Sequence, residues 1–155
     1  MDRPVIRSRV YLDTSVISAY FDERAPDRMT LTRQFWAERI PELEALVSTV
    51  VLSEVEATPA QERRAEMRRL VATLEVLPTP EEAVFLAEEY VTRGIFAPGD
   101  SSDALHLAIA VTNGLGFLLS WNFKHLVRLS TRRQVNLVNS LVGYGAIEIL
   151  APPEL

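Results

Sequence analysis

Four polar side chains stand where they could do chemistry together, namely Asp13, Glu54, Asp103 and Asn122. Each falls at or just past the carboxyl end of a predicted strand, or in the opening turn of a predicted helix. Three carboxylates brought together repel one another and take up protons unless a cation compensates their charge. Oxygen ligands suit Mg²⁺ or Mn²⁺, so this set predicts a divalent-metal site.

Asp13 directly follows the apolar run Val10–Leu12 and precedes the hydroxyl residues Thr14 and Ser15. In an open parallel sheet, ligands bind beyond the carboxyl ends of the strands, which favours Asp13 as a site residue. The alternative is that Asp13, Thr14 or Ser15 caps the following helix. The return of the same arrangement further along the chain favours the first interpretation.

Two further carboxylates lie next to segments that are expected to be buried. Glu54 interrupts the apolar stretch from Val50 to Val55 and is expected to enter a mostly buried turn, where carboxylates are rare unless paired or bound to metal. Asp100 has the position of the cap of an apolar helix, which leaves Asp103 free to face the site. His106, on the same helix, is expected to be structural.

Apolar spacing and turn residues predict strands that alternate with helices. Strands are predicted at 9–12, 44–49, 75–78, 116–120 and 146–150, and helices at 16–21, 30–40, 50–57, 61–74, 81–92 and 104–111, with one more after 125. Leu31, Phe35 and Trp36 are predicted to face the core, and Gly94 to end the helix before it. This alternation is typical of βαβ units and predicts an α/β fold with a mostly parallel sheet.

Composition limits the class of protein. The 155 residues suit one domain over 1–155, and the absence of cysteine excludes disulfides and a thiol nucleophile. The net charge of −5 argues against non-specific coating of nucleic acid, although it leaves open an enzyme that acts on it. The first nine residues lack a secretory signal, and no apolar stretch reaches the roughly 18 residues of a membrane span. A soluble, cytoplasmic protein is expected.

The sequence resembles the PIN-domain ribonucleases, particularly the VapC-type toxins of bacterial toxin–antitoxin pairs. Four segments carry the resemblance in the expected order: Val10-Tyr-Leu-Asp13-Thr-Ser, Ser48-Thr-Val-Val-Leu-Ser-Glu54, Asp100-Ser-Ser-Asp103-Ala-Leu-His-Leu-Ala108 and Leu119-Ser-Trp-Asn122-Phe-Lys-His125. Together they span nearly the whole chain. The resemblance implies a three-layer α/β/α sandwich and a metal-dependent endoribonuclease that acts on RNA, with a cognate antitoxin protein as partner.

The resemblance also implies roles for individual residues. Asp13, Glu54 and Asp103 match the acidic metal-binding positions of the family. Asn122 stands where the family often has aspartate, and its neutral amide is expected to serve in the outer shell of the metal. Further matching or adjacent positions are expected to orient phosphate or contact RNA: Thr14, Ser15, Lys124 and His125.

Other interpretations remain open at this level. Asn122 is compatible with a PIN-like module that binds RNA or protein through a weak or inactive metal site, whereas three intact acids favour catalysis. An aspartyl phosphotransferase with Asp13 as nucleophile would need a second acid two residues later, where this chain has Ser15. A homodimer is also compatible with the sequence.

Overall fold

The computed structural model describes residues 6–155 of the chain. The predicted absence of a secretory signal rests on the first nine residues, of which 1–5 lie outside this described part. The strands are β1 (Arg9–Leu12), β2 (Glu44–Ser48), β3 (Glu75–Leu77), β4 (Phe117–Leu119) and β5 (Glu148–Leu150). The helices are α1 (Thr14–Ser18), α2 (Pro26–Glu38), α3 (Thr49–Glu56), α4 (Gln61–Val71), α5 (Glu81–Thr92), α6 (Ser101–Thr112) and α7 (Leu129–Val142).

The five strands form one sheet in the order β3-β2-β1-β4-β5, and every neighbouring pair is parallel. The central strand β1 is almost completely buried because Val10, Tyr11 and Leu12 have no exposed surface. Its register pairs Leu12 with Leu119 of β4. The next residue on each strand, Asp13 and Ser120, therefore leaves the sheet at the same edge.

The helices cover both faces of the sheet. Helices α1, α3 and α4 pack against one another, and α5 packs against α6. Crossovers between parallel strands are right-handed, so the connections that lead toward β3 lie on one face and those that lead toward β5 lie on the other. This places α1 to α4 and α5 to α7 in two separate layers, which confirms the predicted α/β/α sandwich.

β1 and β4 are neighbours whose following helices lie on opposite faces. The point where the strand order reverses is where open α/β sheets leave a crevice for ligands. Asp13 and the segment that begins at Ser120 both lie at this crevice.

Helix α2 differs from the prediction. The sequence indicated a helix from Thr30 to Ile40 after a proline-containing break, but α2 begins at Pro26. Proline is well suited to the first helical position, because its fixed φ matches the helix and that position needs no N–H donor. The side of α2 that packs against the core also differs from the prediction. Phe35 is buried, whereas Leu31, which was predicted to lie in the core, is 40% exposed.

Two other expectations can be compared with the described residues. Gly94 ends α5 as predicted and has a φ of +77°, a left-handed conformation that glycine adopts without strain. In the part of the chain from residue 6 onward, no helix is both long enough and apolar enough to cross a membrane.

Candidate active site

Asp13 lies at the carboxyl end of β1 and is almost fully buried. One carboxylate oxygen accepts hydrogen bonds from the backbone N–H of Ser15 at 3.0 Å and from its hydroxyl at 2.5 Å. The other accepts from the Ser120 hydroxyl at 2.5 Å. Burial raises the pKa of Asp13 above its ordinary value, even though nearby His106 and these hydroxyl donors lower it. Asp13 is thus both the cap of α1 and a crevice residue, so the two interpretations of it are compatible.

Asp103 lies in the first turn of α6 and faces Asn122. The side-chain nitrogen of Asn122 donates to Asp103 Oδ2 at 3.1 Å, while its amide oxygen accepts from the backbone N–H of His125 at 2.9 Å. Burial and the charge of Asp13 raise the pKa of Asp103. The two aspartates therefore interact electrostatically across the crevice.

Glu54 lies in the second turn of α3, and its side chain is 39% exposed, so the predicted mostly buried turn is wrong. One of its oxygens accepts from the ring of His106 and from the hydroxyl of Ser102 at 3.2 Å. Burial acts to raise the pKa of Glu54, but the hydrogen bonds from His106 and from the Ser102 hydroxyl outweigh it, so the pKa lies below its ordinary value. These contacts favour the ionised form of Glu54, whereas burial disfavours the ionised form of the two aspartates.

A buried polar chain behind Glu54 was not predicted from the sequence. His106 Nδ1 lies 2.6 Å from the Tyr11 hydroxyl, which lies 2.7 Å from the hydroxyl of Ser48. Tyr11 and Ser48 have no exposed surface, and His106 is 2% exposed. His106 is thus buried as expected, but it also contacts a candidate site residue. The signal was its position three residues after Asp103, which places both on one side of a helix.

The remaining predicted site residues have different surroundings. The Ser15 hydroxyl also accepts the backbone N–H of Trp121 at 2.8 Å, which ties the end of β1 to the loop after β4. The Thr14 hydroxyl is buried, and it helps to lower the pKa of Glu54 although its geometry falls short of a hydrogen bond. Lys124 is exposed, and His125 is partly buried.

Asp100 does not cap α6 as predicted. It occupies the N-cap position, but its ψ of 22° is not the extended backbone typical of a cap, and its side chain makes no capping hydrogen bond. Its carboxylate instead lies 3.5 Å from Nε2 of His125. The short 3₁₀ turn over Pro98–Asp100 accounts for this, because it leads the backbone into α6 without an extended residue.

The three acids of the crevice come from three separate segments but do not form a closed cage. Among residues 6–155, no three histidine, aspartate or glutamate side chains are arranged so that they could hold a metal ion as they stand. The oxygens of Asp13 and Asp103 are engaged by hydroxyl and amide donors, and Glu54 faces His106. The donor set is nevertheless all oxygen, which matches Mg²⁺ and Mn²⁺ rather than softer metals.

Comparison with solved structures identifies the fold. A VapC20 toxin of Mycobacterium tuberculosis, described as cleaving the sarcin-ricin loop, matches with a TM-score of 0.55 and 19% identity over 70% of this chain and 86% of that chain. VapBC2 of Rickettsia felis, bound to a DNA fragment from its promoter, matches with a TM-score of 0.56 and 14% identity over 91% and 98%. VapBC-5 of M. tuberculosis matches with a TM-score of 0.53 and 21% identity over 93% and 98%.

Comparison with family models identifies the family. No curated protein matches this chain at a significant level. The model of the PIN domain matches residues 10–122, which include all four residues of the crevice that were predicted from the sequence. The chain belongs to the PIN domain family.

Proposed function

We propose that this protein is a metal-dependent endoribonuclease that hydrolyses RNA phosphodiester bonds and acts as the toxin of a toxin–antitoxin pair. The observation that carries the proposal is the interaction of Asp13 with Asp103, two carboxylates whose pKa values are raised where the strand order reverses. Within residues 6–155, no lysine or arginine forms an ion pair with either of them. Such a pair is costly unless a cation joins it.

A divalent cation fits the chemistry of these residues. Asp13 and Asp103, with Glu54, would hold it, and the buried Thr14 hydroxyl beside them supplies a polar atom that lacks a hydrogen-bond partner. Bound there, Mg²⁺ or Mn²⁺ would activate water and stabilise negative charge on the phosphoryl oxygens. Asn122 holds Asp103 from outside, consistent with the outer role predicted for it.

The rim of the crevice offers contacts for a single-stranded RNA. The ring of Phe123, next to Asn122, is 48% exposed. The guanidinium of Arg28 lies 5.9 Å from the centre of that ring and 5.1 Å from the centre of the Trp121 ring. Aromatic rings and arginine planes stack on unpaired bases, and a lysine such as Lys124 attracts the phosphates between them.

The toxin role rests on the solved relatives. One is described as a toxin that cleaves the sarcin-ricin loop, and another as a member of the VapBC family of toxin–antitoxin systems. We infer that this protein likewise has an antitoxin partner that binds near the crevice and can place an arginine among the acids. An arginine would replace the charge of the cation and so block the site.

An RNA- or protein-binding module without catalysis is the second candidate. The observation in its favour is that no ready cluster of three metal-binding side chains stands within residues 6–155. This candidate predicts RNA binding that leaves the RNA intact at any metal concentration. An incubation with RNA at several metal concentrations therefore separates the two functions.

The test is to incubate the protein with mixed RNAs in Mn²⁺, in Mg²⁺ and in EDTA, and to map the cut ends. We expect cleavage that needs the metal and that is abolished by Asp13→Asn or Asp103→Asn. The matched control is Asp22→Asn, because the Asp22 carboxylate pairs with Arg24 at the surface. Cleavage in EDTA, or by either crevice variant at the wild-type rate, would overturn the mechanism.

A further inference from the structure

Glu54 is the one solvent-accessible end of an otherwise buried polar chain that runs through the protein. The chain passes from Ser48 at the end of β2 to Tyr11 of β1, then to His106 of α6, and ends at Glu54 of α3. It therefore links two strands and two helices from both layers. The available donors determine the direction of the hydrogen bonds along this chain.

The backbone determines the direction of the hydrogen bonds. The Ser48 oxygen accepts the N–H groups of Val50 at 3.2 Å and Val51 at 3.4 Å, which occupy its two lone pairs. Its own proton must then point to the Tyr11 oxygen. Burial raises the pKa of Tyr11, so this phenol keeps its proton and donates it to His106 Nδ1. His106 is left with its proton on Nε2, and that proton faces Glu54.

We propose that His106 is a positioning residue, which holds the Glu54 carboxylate toward the crevice and is itself oriented by Tyr11 and Ser48. The proposal rests on the function proposed above, since Glu54 is one of the residues that would hold the cation. A half-exposed glutamate has three rotatable bonds and many conformers in water. The buried imidazole restricts them by offering one fixed donor, as the outer partners of metal ligands commonly do.

A purely structural role for the same contacts predicts something different. In that case Glu54 serves His106 by satisfying its buried nitrogen, and loss of His106 lowers stability without changing the metal site. Two substitutions separate these roles because they keep different ends of the ring. In His106→Gln the amide nitrogen replaces Nε2 and can still donate to Glu54, whereas in His106→Asn the shorter amide replaces Nδ1 and reaches only toward Tyr11.

The main test is titration with Mn²⁺ by calorimetry on wild type, on both His106 variants and on Glu54→Gln. We expect His106→Asn to weaken Mn²⁺ binding about 10- to 100-fold, and His106→Gln to keep most of the affinity. The double variant that combines His106→Asn with Glu54→Gln should lose as much Mn²⁺ affinity as Glu54→Gln alone, because His106 acts on the metal only through Glu54. Two results would overturn the proposal. One is that His106→Asn binds Mn²⁺ as tightly as wild type, and the other is that the fold-loss of affinity in the double variant is the product of the two single fold-losses.

A matched control removes a comparable buried hydrogen bond elsewhere. Tyr90 of α5 donates to Asn139 of α7, and both side chains are fully buried. Tyr90→Phe should lower the melting temperature and leave Mn²⁺ affinity unchanged. If the His106 variants do not fold, Tyr11→Phe serves in their place, because it removes the orienting proton without opening a cavity.

A second measurement works on the metal-free wild type and does not depend on catalysis. The ¹⁵N shifts of the two ring nitrogens of His106 report which one carries the proton. We expect the ¹⁵N shifts to show the proton of His106 on Nε2, and to show it in EDTA, where no metal is bound. An Nδ1–H tautomer would overturn the positioning role even if the protein cleaves RNA, whereas a protein that cuts no RNA yet shows Nε2–H would overturn only the proposed function.

Discussion

At Asp13, the cap of α1 and the proposed metal-binding role require the same conformation. The carboxylate accepts the N–H of Ser15, as a helix cap does, while its second oxygen turns toward Ser120 and the crevice. A cap needs one acceptor oxygen, and a metal site needs another. A carboxylate supplies both, so the residue type alone cannot separate the two roles.

The first prediction concerns pH and the metal-free protein. Because the pKa of Asp13 is raised in the folded state, the folded protein binds this proton more tightly than the unfolded chain does. Stability therefore falls as pH rises from the ordinary pKa of 3.8 through the raised value. Asp13→Asn removes the charge and keeps a good capping residue.

We thus expect Asp13→Asn to melt at a higher temperature than wild type in EDTA at pH 7, and the difference to shrink as pH approaches 4. A gain of about 1 kcal/mol corresponds to roughly 2–4 °C in a chain of this size. Thermal melts from pH 4 to pH 8 measure it. If the melting temperature of Asp13→Asn relative to wild type were lower at pH 7 than at pH 4, the ionised Asp13 would not be destabilising.

The second prediction concerns Asn122. Its amide donates to Asp103 and accepts from the backbone of His125, so Asn122→Ala loses both hydrogen bonds, of which the one to the carboxylate of Asp103 is worth about 1.5–3 kcal/mol. Mn²⁺ affinity should fall less than in Asp13→Ala. Asn122→Asp should destabilise the metal-free protein, because a second carboxylate then lies against Asp103, and should bind Mn²⁺ more tightly than wild type.

Calorimetry with Mn²⁺, together with cleavage rates at saturating metal, measures the series. If Asn122→Ala damages Mn²⁺ affinity as much as Asp13→Ala does, Asn122 is a direct ligand and its outer role is wrong.

Among the elements, α2 and the loop after β4 meet at the rim of the crevice. Trp121 is 7% exposed and donates from its ring nitrogen to Thr32 of α2 at 2.9 Å. The same loop presents Phe123 to solvent beside Arg28 of α2. One aromatic residue thus anchors the loop while its neighbour is free to contact a ligand.

The third prediction is that Phe123→Leu weakens binding of a short single-stranded RNA in EDTA, since stacking of a base on an aromatic ring is worth about 1–3 kcal/mol. Phe123→Tyr should retain the affinity, because it keeps the ring. Phe85→Leu is the matched control: Phe85 of α5 is also exposed but makes no contact with Arg28 or Trp121. Fluorescence anisotropy measures the affinities. Equal loss in Phe85→Leu and Phe123→Leu would contradict a local stacking site.

For the whole molecule, the order of the strands decides where the acids meet. β1 lies between β2 and β4, so residues that follow these three strands, with the first turn of α6, surround one crevice. In the proposed mode of inhibition the antitoxin reaches this crevice, where the acids favour a basic side chain.

The fourth prediction is that co-expression with the adjacent small open reading frame yields a stable complex whose formation inhibits RNA cleavage. Asp103→Asn should weaken the complex, since it removes charge that would face an antitoxin arginine, whereas Asp22→Asn should not. Size-exclusion chromatography and a competition titration measure this. A toxin that stays active in the presence of the purified partner would contradict the proposed mode of inhibition.

Much of this protein follows from local sequence. The apolar runs of β1 and β4, the caps and Gly94 determine the alternation of strands and helices, because side-chain periodicity and backbone preferences act over a few residues. Polar residues placed near those runs and in the opening turns of helices indicated Asp13, Glu54, Asp103 and Asn122, and the resemblance to the PIN family implied their roles. The start of α2 was missed because proline both breaks a helix and begins one.

Only the tertiary structure decided which side chains meet. Tyr11, Ser48 and His106 are far apart in sequence, and their hydrogen bonds exist because β1 pairs with β2 in one register and His106 of α6 reaches Tyr11 of β1. A shift of one residue in that register would turn Tyr11 to the opposite face. The raised pKa values of Asp13 and Asp103 likewise depend on burial, and that of Asp103 depends also on the charge of Asp13. Both are properties of chain segments brought together by the sheet, which no local pattern encodes.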